Sequence, residues 1–362
     1  MTANLSLSIP AEALRGFVAK LFVTSGMSDN AAMRVAEGLV DADLDGLHSH
    51  GVMLVDMYIE RLRQGSISRA EFATVISDRD GAVTLDAANA LGHLTGQQAM
   101  TMAVEKARYH ATGIVAVRHG FHFGTAGRYA RQAADSGCIG IAMCNTRPLM
   151  PAPGGAERVV GNNPIAIAVP TVGPIPIVLD MATSEAAMGK IRIAEKANQP
   201  IPSTWAATAQ GEPTTDPTQA IAGMLLPSGG AKGFGLAFLI DLLCGLLSQG
   251  AIGSQVQPLY GDFSVSYDCS HLFIAIDVAH FCDLGQFRRR AAAAAEHIRA
   301  GRRAPGVDSL FTPGEPEWGR RQQSNDRVTL EAPVIAMLTR LGAELRVDTS
   351  PFREPKREKH HA

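Results

Sequence analysis

Cysteine, aromatic residues and net charge are all scarce in this chain. Its five cysteines, Cys138, Cys144, Cys244, Cys269 and Cys282, are odd in number and include no Cys-x-x-Cys pair. That argues against a disulfide framework and a thiolate metal site, and for a reducing compartment. Net charge is −2, so no electrostatic footprint for nucleic acid or an anionic membrane exists. Neither common nucleotide fingerprint is present. No G-x-G-x-x-G follows a strand-like run, and Gly189-Lys190 continues into Ile191, which breaks the phosphate-loop pattern. Met1 to Ser8 has no basic stretch followed by an apolar run, so no signal peptide is read. The longest apolar segment, Gly233 to Ser248, is short for a bilayer span and contains Asp241. The expected setting is the cytoplasm, with no nucleic-acid or membrane partner.

What is present is ordinary for a globular enzyme: 46% hydrophobic and 19% charged residues in a 362-residue chain, enough for two domains. The first 65 residues read as helical. Pro10 suits a first helical position, followed by Leu14, Val18, Leu21 and Phe22 at helical spacing. Ser28 or Asp29 caps a second helix through Leu44, and a third runs from Met53 to Arg63. Strand-like runs follow at Thr74 to Ser77 and Val83 to Leu85, flanking an Asp80-Gly81 turn. Further strands are predicted at Ile114 to Val117, Ile139 to Cys144, Ile165 to Val169, Ile177 to Asp180 and His271 to Asp277. Helices are predicted at Gln97 to Tyr109, Lys232 to Leu247, Gln286 to Ala300, and from Pro333 through Leu341, with Glu344 to Val347 as a last strand. The uneven spacing lacks regular βαβ alternation. It favours an α+β fold with a mixed or antiparallel sheet over a doubly wound parallel one. The tail from Ser350 reads as disordered.

Leu44 to Val52 places Ser49 and His50 beside Gly51. Histidine is the side chain suited to proton transfer near neutrality. A second histidine, His122, lies between Phe121 and Phe123 before a helix start at Gly124. His48 and His119 read as scaffold or surface residues. Asp180 ends an apolar strand, where a carboxylate needs a reason to be. It either orients an imidazole or caps the Thr183-Ser184 turn. Ser228-Gly229-Gly230-Ala231-Lys232-Gly233 precedes a helix, a composition suited to phosphate binding or to loop packing. No His or Cys cluster has metal spacing, so no metal is expected.

Taken in order, these segments resemble the malate/L-lactate dehydrogenase family that lacks a Rossmann fold. The matching stretches are Asp45-Gly46 with Ser49 to Val52, His122 to Gly124 with Ala126-Gly127, and Asn145-Thr146 with Pro153 to Gly155. Gly161 to Pro164, Leu179 to Ser184 with Gly189-Lys190, Thr214 to Pro217, Gly230 to Gly233 with Gly235-Leu236, and Pro313 to Glu317 follow. The resemblance implies hydride transfer between NAD or NADP and a 2-hydroxy or 2-oxo carboxylic acid, or alternatively reduction of a cyclic ketimine. It implies a homodimer in which both chain ends, 1–72 and 283–347, form a helical domain. Residues 73–282 would form a non-Rossmann, largely antiparallel NAD(P)-binding sheet, and 348–362 a tail.

By position, the family pattern makes His50 the general acid/base with Ser49 and Asp180 as relay partners, while some relatives give that catalytic role to the histidine matching His122. The reading adopted sets His50 as proton donor and His122 beside substrate or nicotinamide. Cofactor contacts fall on Thr146, Met181, Ala182, Thr183, Ser184, Lys232, Gly233, Gly314 and Glu315. One departure stands out. Many relatives carry arginine two residues after Ser-His-Gly-Val, and here that residue is Leu54. Arg147 is the candidate replacement for gripping a substrate carboxylate.

Overall fold

The computed structural model describes residues 6–352. The chain divides into two compact units, 1–64 with 319–362, and 65–318.

The first unit opens with a short strand, β1 (Leu7–Pro10), then helices α1 (Ala11–Thr24) and α2 (Asp29–Leu44). Two 3-10 turns, His48–His50 and Val52–Leu54, lead into α3 (Val55–Gln64). Leu14, Val18, Leu21 and Phe22 form the buried stripe of α1, as their spacing predicts. Pro10 does not open the helix. It ends β1 and is the residue before the first turn of α1. The Ser28 hydroxyl caps α2, accepting the Ala31 N–H at 3.2 Å.

The second unit is built on a seven-stranded sheet. Its strands are β2 (Thr74–Arg79), β3 (Ala82–Asp86), β4 (Thr112–Gly120), β5 (Cys138–Cys144), β6 (Ile165–Val169), β7 (Ile177–Met181) and β10 (Cys269–Asp277). A separate ribbon pairs β8 (Ala206–Ala207) with β9 (Met224–Leu225). The order β2-β3-β4-β10-β5-β6-β7 is antiparallel except where β3 runs parallel to β4. The expected largely antiparallel, non-Rossmann sheet is therefore present. The crossover from β3 to β4 is α4 (Gly92–His110), and α5 (Ala126–Asp135) leads from β4 to β5.

Successive strand residues face opposite sides of the sheet. Ala116, Met143 and Leu272 cluster with Ile240 and Cys244 of α8 (Ala231–Ser248). Phe273, one residue on, turns the other way and meets Tyr129 of α5 edge-on at 5.4 Å. Two shorter helices, α6 (Met188–Lys196) and α7 (Pro217–Ala222), surround a small cluster that includes Ile191, Ile201, Ala220 and Leu225.

After α9 (Leu284–Arg299) the chain re-enters the first unit through α10 (Glu315–Gln323), β11 (Arg327–Leu330) and α11 (Ala332–Glu344). β11 pairs antiparallel with β1, with Leu7 opposite Leu330. Several sequence expectations need correction. α9 and residues up to Trp318 belong to the second unit, whereas 283–347 were assigned to the chain-end domain. Hydrogen bonds account for this: Val178 N–H donates to Pro313 O at 3.0 Å, and Arg299 Nε to Glu315 Oε2 at 2.9 Å. No strand forms at Glu344 to Val347. Glu344 ends α11 and Arg346 has φ +57°, which breaks extended backbone. Ser350–Phe352 is ordered, with the Phe352 ring 4.7 Å from Phe17, while the rest of the expected tail, 353–362, lies outside the described residues.

One buried side chain ties the sheet to α8. Asn145 Nδ2 donates to Asp241 Oδ1 and to Ala251 O, both at 2.8 Å, and its Oδ1 accepts Ser270 N–H at 2.7 Å. Removing a buried hydrogen-bonding hub leaves its partners unsatisfied, at about 1–3 kcal/mol each. Asn145→Ala is therefore expected to lower unfolding free energy by roughly 3 kcal/mol in a urea titration; a loss under about 1 kcal/mol would show that the hub is not what holds these segments.

Candidate active site

Ser49 and His50 lie on the 3-10 turn that follows α2. The last turns of α2 supply a carboxylate that sequence reading missed. Asp43 is buried, and its Oδ1 pairs with His48 Nδ1 at 2.8 Å while its Oδ2 accepts Val52 N–H at 2.8 Å. Those two bonds staple both ends of the turn that carries His50. Gly51 is required by the same contact, because a β-carbon there would lie 2.2 Å from Asp43 Oδ1. The hydrogen bond to Asp43 raises the His48 pKa, and the pair belongs to the scaffold of the turn. Asp45 and Asp41, one helical turn apart, are held by Arg321, whose Nε reaches Asp45 Oδ1 at 2.6 Å. The missed signal was an aspartate at a buried position of an otherwise apolar helix face.

On this staple, Ser49 Oγ and His50 Nδ1 are 3.0 Å apart. Burial holds His50 below its ordinary 6.5. Leu54, where an arginine is expected from the family resemblance, is buried, 2% exposed. It belongs to the apolar core of its unit and presents no charge.

In the second unit, Asp180 lies on β7 opposite Ala166. It retains accessible surface yet is crowded by protein, and that desolvation raises its carboxyl to about 6. Its Oδ2 accepts the Gly127 N–H at 2.7 Å, at the first turn of α5. A β-carbon on Gly127 would sit 2.9 Å from that oxygen, so glycine leaves room for the carboxylate to reach the helix end. The capping alternative thus has a different target: Asp180 meets α5, and the Ser184 hydroxyl bonds Ala186 O at 2.9 Å by itself. His122 is half-buried in the loop between β4 and α5, five residues before Gly127.

Main-chain bonds knit several motifs of this unit into one platform. Thr183 N–H donates to Asn162 O at 3.1 Å, and Thr183 O accepts Ser228 N–H at 2.9 Å. Thr146 N–H donates to Asn163 Oδ1 at 2.8 Å, and Thr146 Oγ1 to Asn162 Oδ1 at 3.1 Å. Thr146, Thr183, Ser184 and the Ser228–Lys232 loop are thereby brought together, although up to 82 residues separate Thr146 from Ser228. Met181 and Ala182 are half-buried on the same segment, between Asp180 and the buried Thr183. The Thr183 hydroxyl is buried without a hydrogen-bond partner among the described residues.

Gly229 and Gly230 both take positive φ, and a β-carbon on either would meet nothing within 4 Å. They open onto the first turn of α8, where Lys232 is exposed, Gly233 is buried, and no side chain caps the helix among the described residues. An uncapped helix N-terminus beside an exposed lysine has the donor set that a phosphate needs. A dinucleotide's phosphates fit this end, and Lys232 would hold them there.

Gly314 and Glu315 stand apart in role. The Val178–Pro313 bond sets Gly314 beside β7, while Glu315 accepts Thr312 N–H and Oγ1, both at 3.0 Å, as well as Arg299. These bonds depress the Glu315 pKa despite desolvation and make it an anchor of its own loop. Arg147 is half-buried. Burial, with Arg158 and Arg192 nearby, lowers its pKa, which leaves it a cation in need of an anion. Arg158 is itself engaged, its Nε donating to Gly223 O at 2.8 Å.

Comparison with known proteins gives this geometry a family. The family model described as malate/L-lactate dehydrogenase matches residues 9–339. A malate dehydrogenase of Pyrococcus abyssi is 37% identical over 315 residues, covering 85% of this chain and 86% of the relative. A ureidoglycolate dehydrogenase (NAD(+)) of Escherichia coli O157:H7 is 33% identical over 318 residues, 88% of this chain and 90% of the relative. The crystal structure of malate dehydrogenase from Entamoeba histolytica superposes with a TM-score of 0.90 at 29% identity, over 95% of this chain and 99% of that one. These matches define an oxidoreductase. The chain belongs to the malate/L-lactate dehydrogenase family.

The Asp43 staple makes a separable prediction. Asp43→Asn keeps an acceptor for Val52 N–H but loses the carboxylate that pairs with His48, and it is expected to lower kcat at least tenfold with KM for cofactor unchanged. Equal kcat in Asp43→Asn and the parent enzyme would show that the staple does not position the turn.

Proposed function

We propose that this enzyme transfers hydride between NAD or NADP and a 2-hydroxy/2-oxo carboxylic acid, with His50 as general acid/base. The observation that carries the reading is the Ser49–His50 hydrogen bond on a turn fixed by a buried carboxylate. The bound nicotinamide supplies or accepts the hydride. Ser49 engages Nδ1, so Nε2 of His50 is assigned the proton exchanged with the substrate oxygen. In reduction His50 delivers that proton; in oxidation the neutral ring removes it. Asp180, raised to about 6, is the second titrating group of the reaction. The substrate carboxylate is assigned to Arg147, which an anion would relieve of its crowding by Arg158 and Arg192. The cofactor phosphates are assigned to the start of α8 and Lys232.

The test is oxidation of NADH and NADPH by the purified enzyme over a panel of 2-oxo acids, with cyclic 2-imino acids alongside. Turnover of a 2-oxo acid that falls about 10²–10⁴-fold in His50→Ala, with cofactor affinity unchanged, is the expected result. Turnover confined to cyclic imines would replace the substrate class, and full activity of His50→Ala would end the assignment. The pH dependence has a definite sign. Oxidation needs His50 neutral and Asp180 ionised, so its kcat/KM should fall as pH drops through about 6, and Asp180→Asn should remove part of that fall.

We further propose that a second copy of the chain covers α8. Its Leu239 (56% exposed), Leu243 (41%) and Leu246 (56%) recur at helical spacing on an open face, beside Leu247 and Phe238. On the inner side, Asp241 Oδ2 accepts Gly253 N–H at 3.0 Å in addition to its bond from Asn145, which ties the helix into its own unit. Light scattering should give a dimer for the parent chain and a monomer for the Leu239→Glu/Leu243→Glu double variant; a monomeric parent at micromolar concentration would refute this.

A further inference from the structure

The sheet brings together three soft donors that lie far apart in sequence. Cys144 ends β5, and His271 sits opposite it on β10. Cys269 begins β10, two residues before His271, next to a register irregularity against β4. The ligand atoms of Cys144, Cys269 and His271 all lie within 4.8 Å of one another, and Cys269 Sγ is 3.2 Å from His271 Nε2. The three residues are 4%, 0% and 0% exposed. The ring of Phe123 stacks on His271 at 4.7 Å with an interplanar angle of 11°, which fixes the plane of the imidazole.

We propose that Cys144, Cys269 and His271 form a closed binding site for a divalent d¹⁰ metal ion, with Zn²⁺ as the best match. Zinc bonds to thiolate at about 2.3 Å and to imidazole at about 2.0–2.1 Å, so tetrahedral ligands stand roughly 3.4–3.8 Å apart. The observed triad needs only small side-chain shifts to reach that spacing. Charge points the same way. Two thiolates and a neutral imidazole around Zn²⁺ sum to zero, which suits a buried site, whereas a monovalent ion would leave a buried negative charge. Loading replaces two S–H protons with two Zn–S bonds and releases both protons. Without the metal, burial pushes the Cys144 thiol well up. The Cys144 thiol lies 2.9 Å from Asn145 O, which provides a further oxygen donor at the same end of β5.

The site is absent from any spacing rule because 125 residues separate Cys144 from Cys269. It is also distinct from the reaction proposed above, since none of its three side chains is assigned to substrate or cofactor. With no solvent-exposed ligand, the ion enters as the sheet forms and leaves slowly afterwards.

The experiment is to unfold the full-length protein in guanidinium with reductant and chelator, refold it with zinc sulfate, dialyse against EDTA, and measure zinc by mass spectrometry. One zinc per chain is expected in the parent and in Cys282→Ser, and less than a tenth of that in Cys269→Ser and His271→Asn. Refolding with Co²⁺ should add a sulfur-to-cobalt absorption band in the near ultraviolet, read on the parent protein alone. Refolded parent protein without zinc and without that band overturns the proposal. So does equal zinc in Cys269→Ser, or a parent mass showing a Cys144–Cys269 disulfide under reducing conditions.

Discussion

Buried polar groups must be paired, and at the end of β5 a single amide meets that demand for three segments at once. Asn145 receives or donates to α8, to the Ala251 turn and to the start of β10. Because each of those partners is itself buried or main-chain, none can be exchanged for water without cost. The next residue, Thr146, then inherits a fixed position beside Asn162 and Asn163, and through Asn162 the link extends to Thr183 and Ser228. The candidate cofactor platform is in this sense a by-product of satisfying one side chain in the core.

The same logic governs two acidic residues, one in each unit. Asp43 is buried and answered by a main-chain N–H and an imidazole. Desolvation raises the Asp180 carboxyl to about 6, against the one Gly127 N–H that lowers it. One carboxylate is tied by two partners into the turn after α2, and the other by one N–H to the start of α5. In both cases a glycine makes the approach: Gly51 for Asp43 and Gly127 for Asp180. The family's glycines here mark places where an oxygen must come close to the main chain, rather than places where the chain must bend.

Legibility followed the range of the interaction. Long periodic segments could be read directly: α1, α2, α8 and the strands β5, β6 and β10 fall where apolar spacing puts them. Short elements escaped. β1 is four residues long and exists because β11, more than 300 residues away, pairs with it. α10 has no buried residues and so no apolar stripe to betray it. Among the candidate residues, Ser49 and His50 of one unit and Asp180 and Lys232 of the other were visible as residue types in telling company. Asp43 carried only one local signal, its place on the apolar face of α2, and its partners His48 and Val52 are set by how the chain turns after the helix.

By itself, the sequence determined the mixed or antiparallel character of the sheet, the candidate residues for proton transfer, and the lack of a single glycine fingerprint for nucleotide. These depend on periodicity and residue chemistry, which act over a few neighbouring positions. Tertiary structure decided that Asp43 is buried under the turn after α2 and that Asp180 meets the start of α5, to which unit α9 belongs, and that Leu54 is core. It also gathered Cys144, Cys269 and His271 into one cluster. Each of those outcomes turns on burial and on partners distant in sequence, and burial is a property of the packed chain rather than of any residue in it.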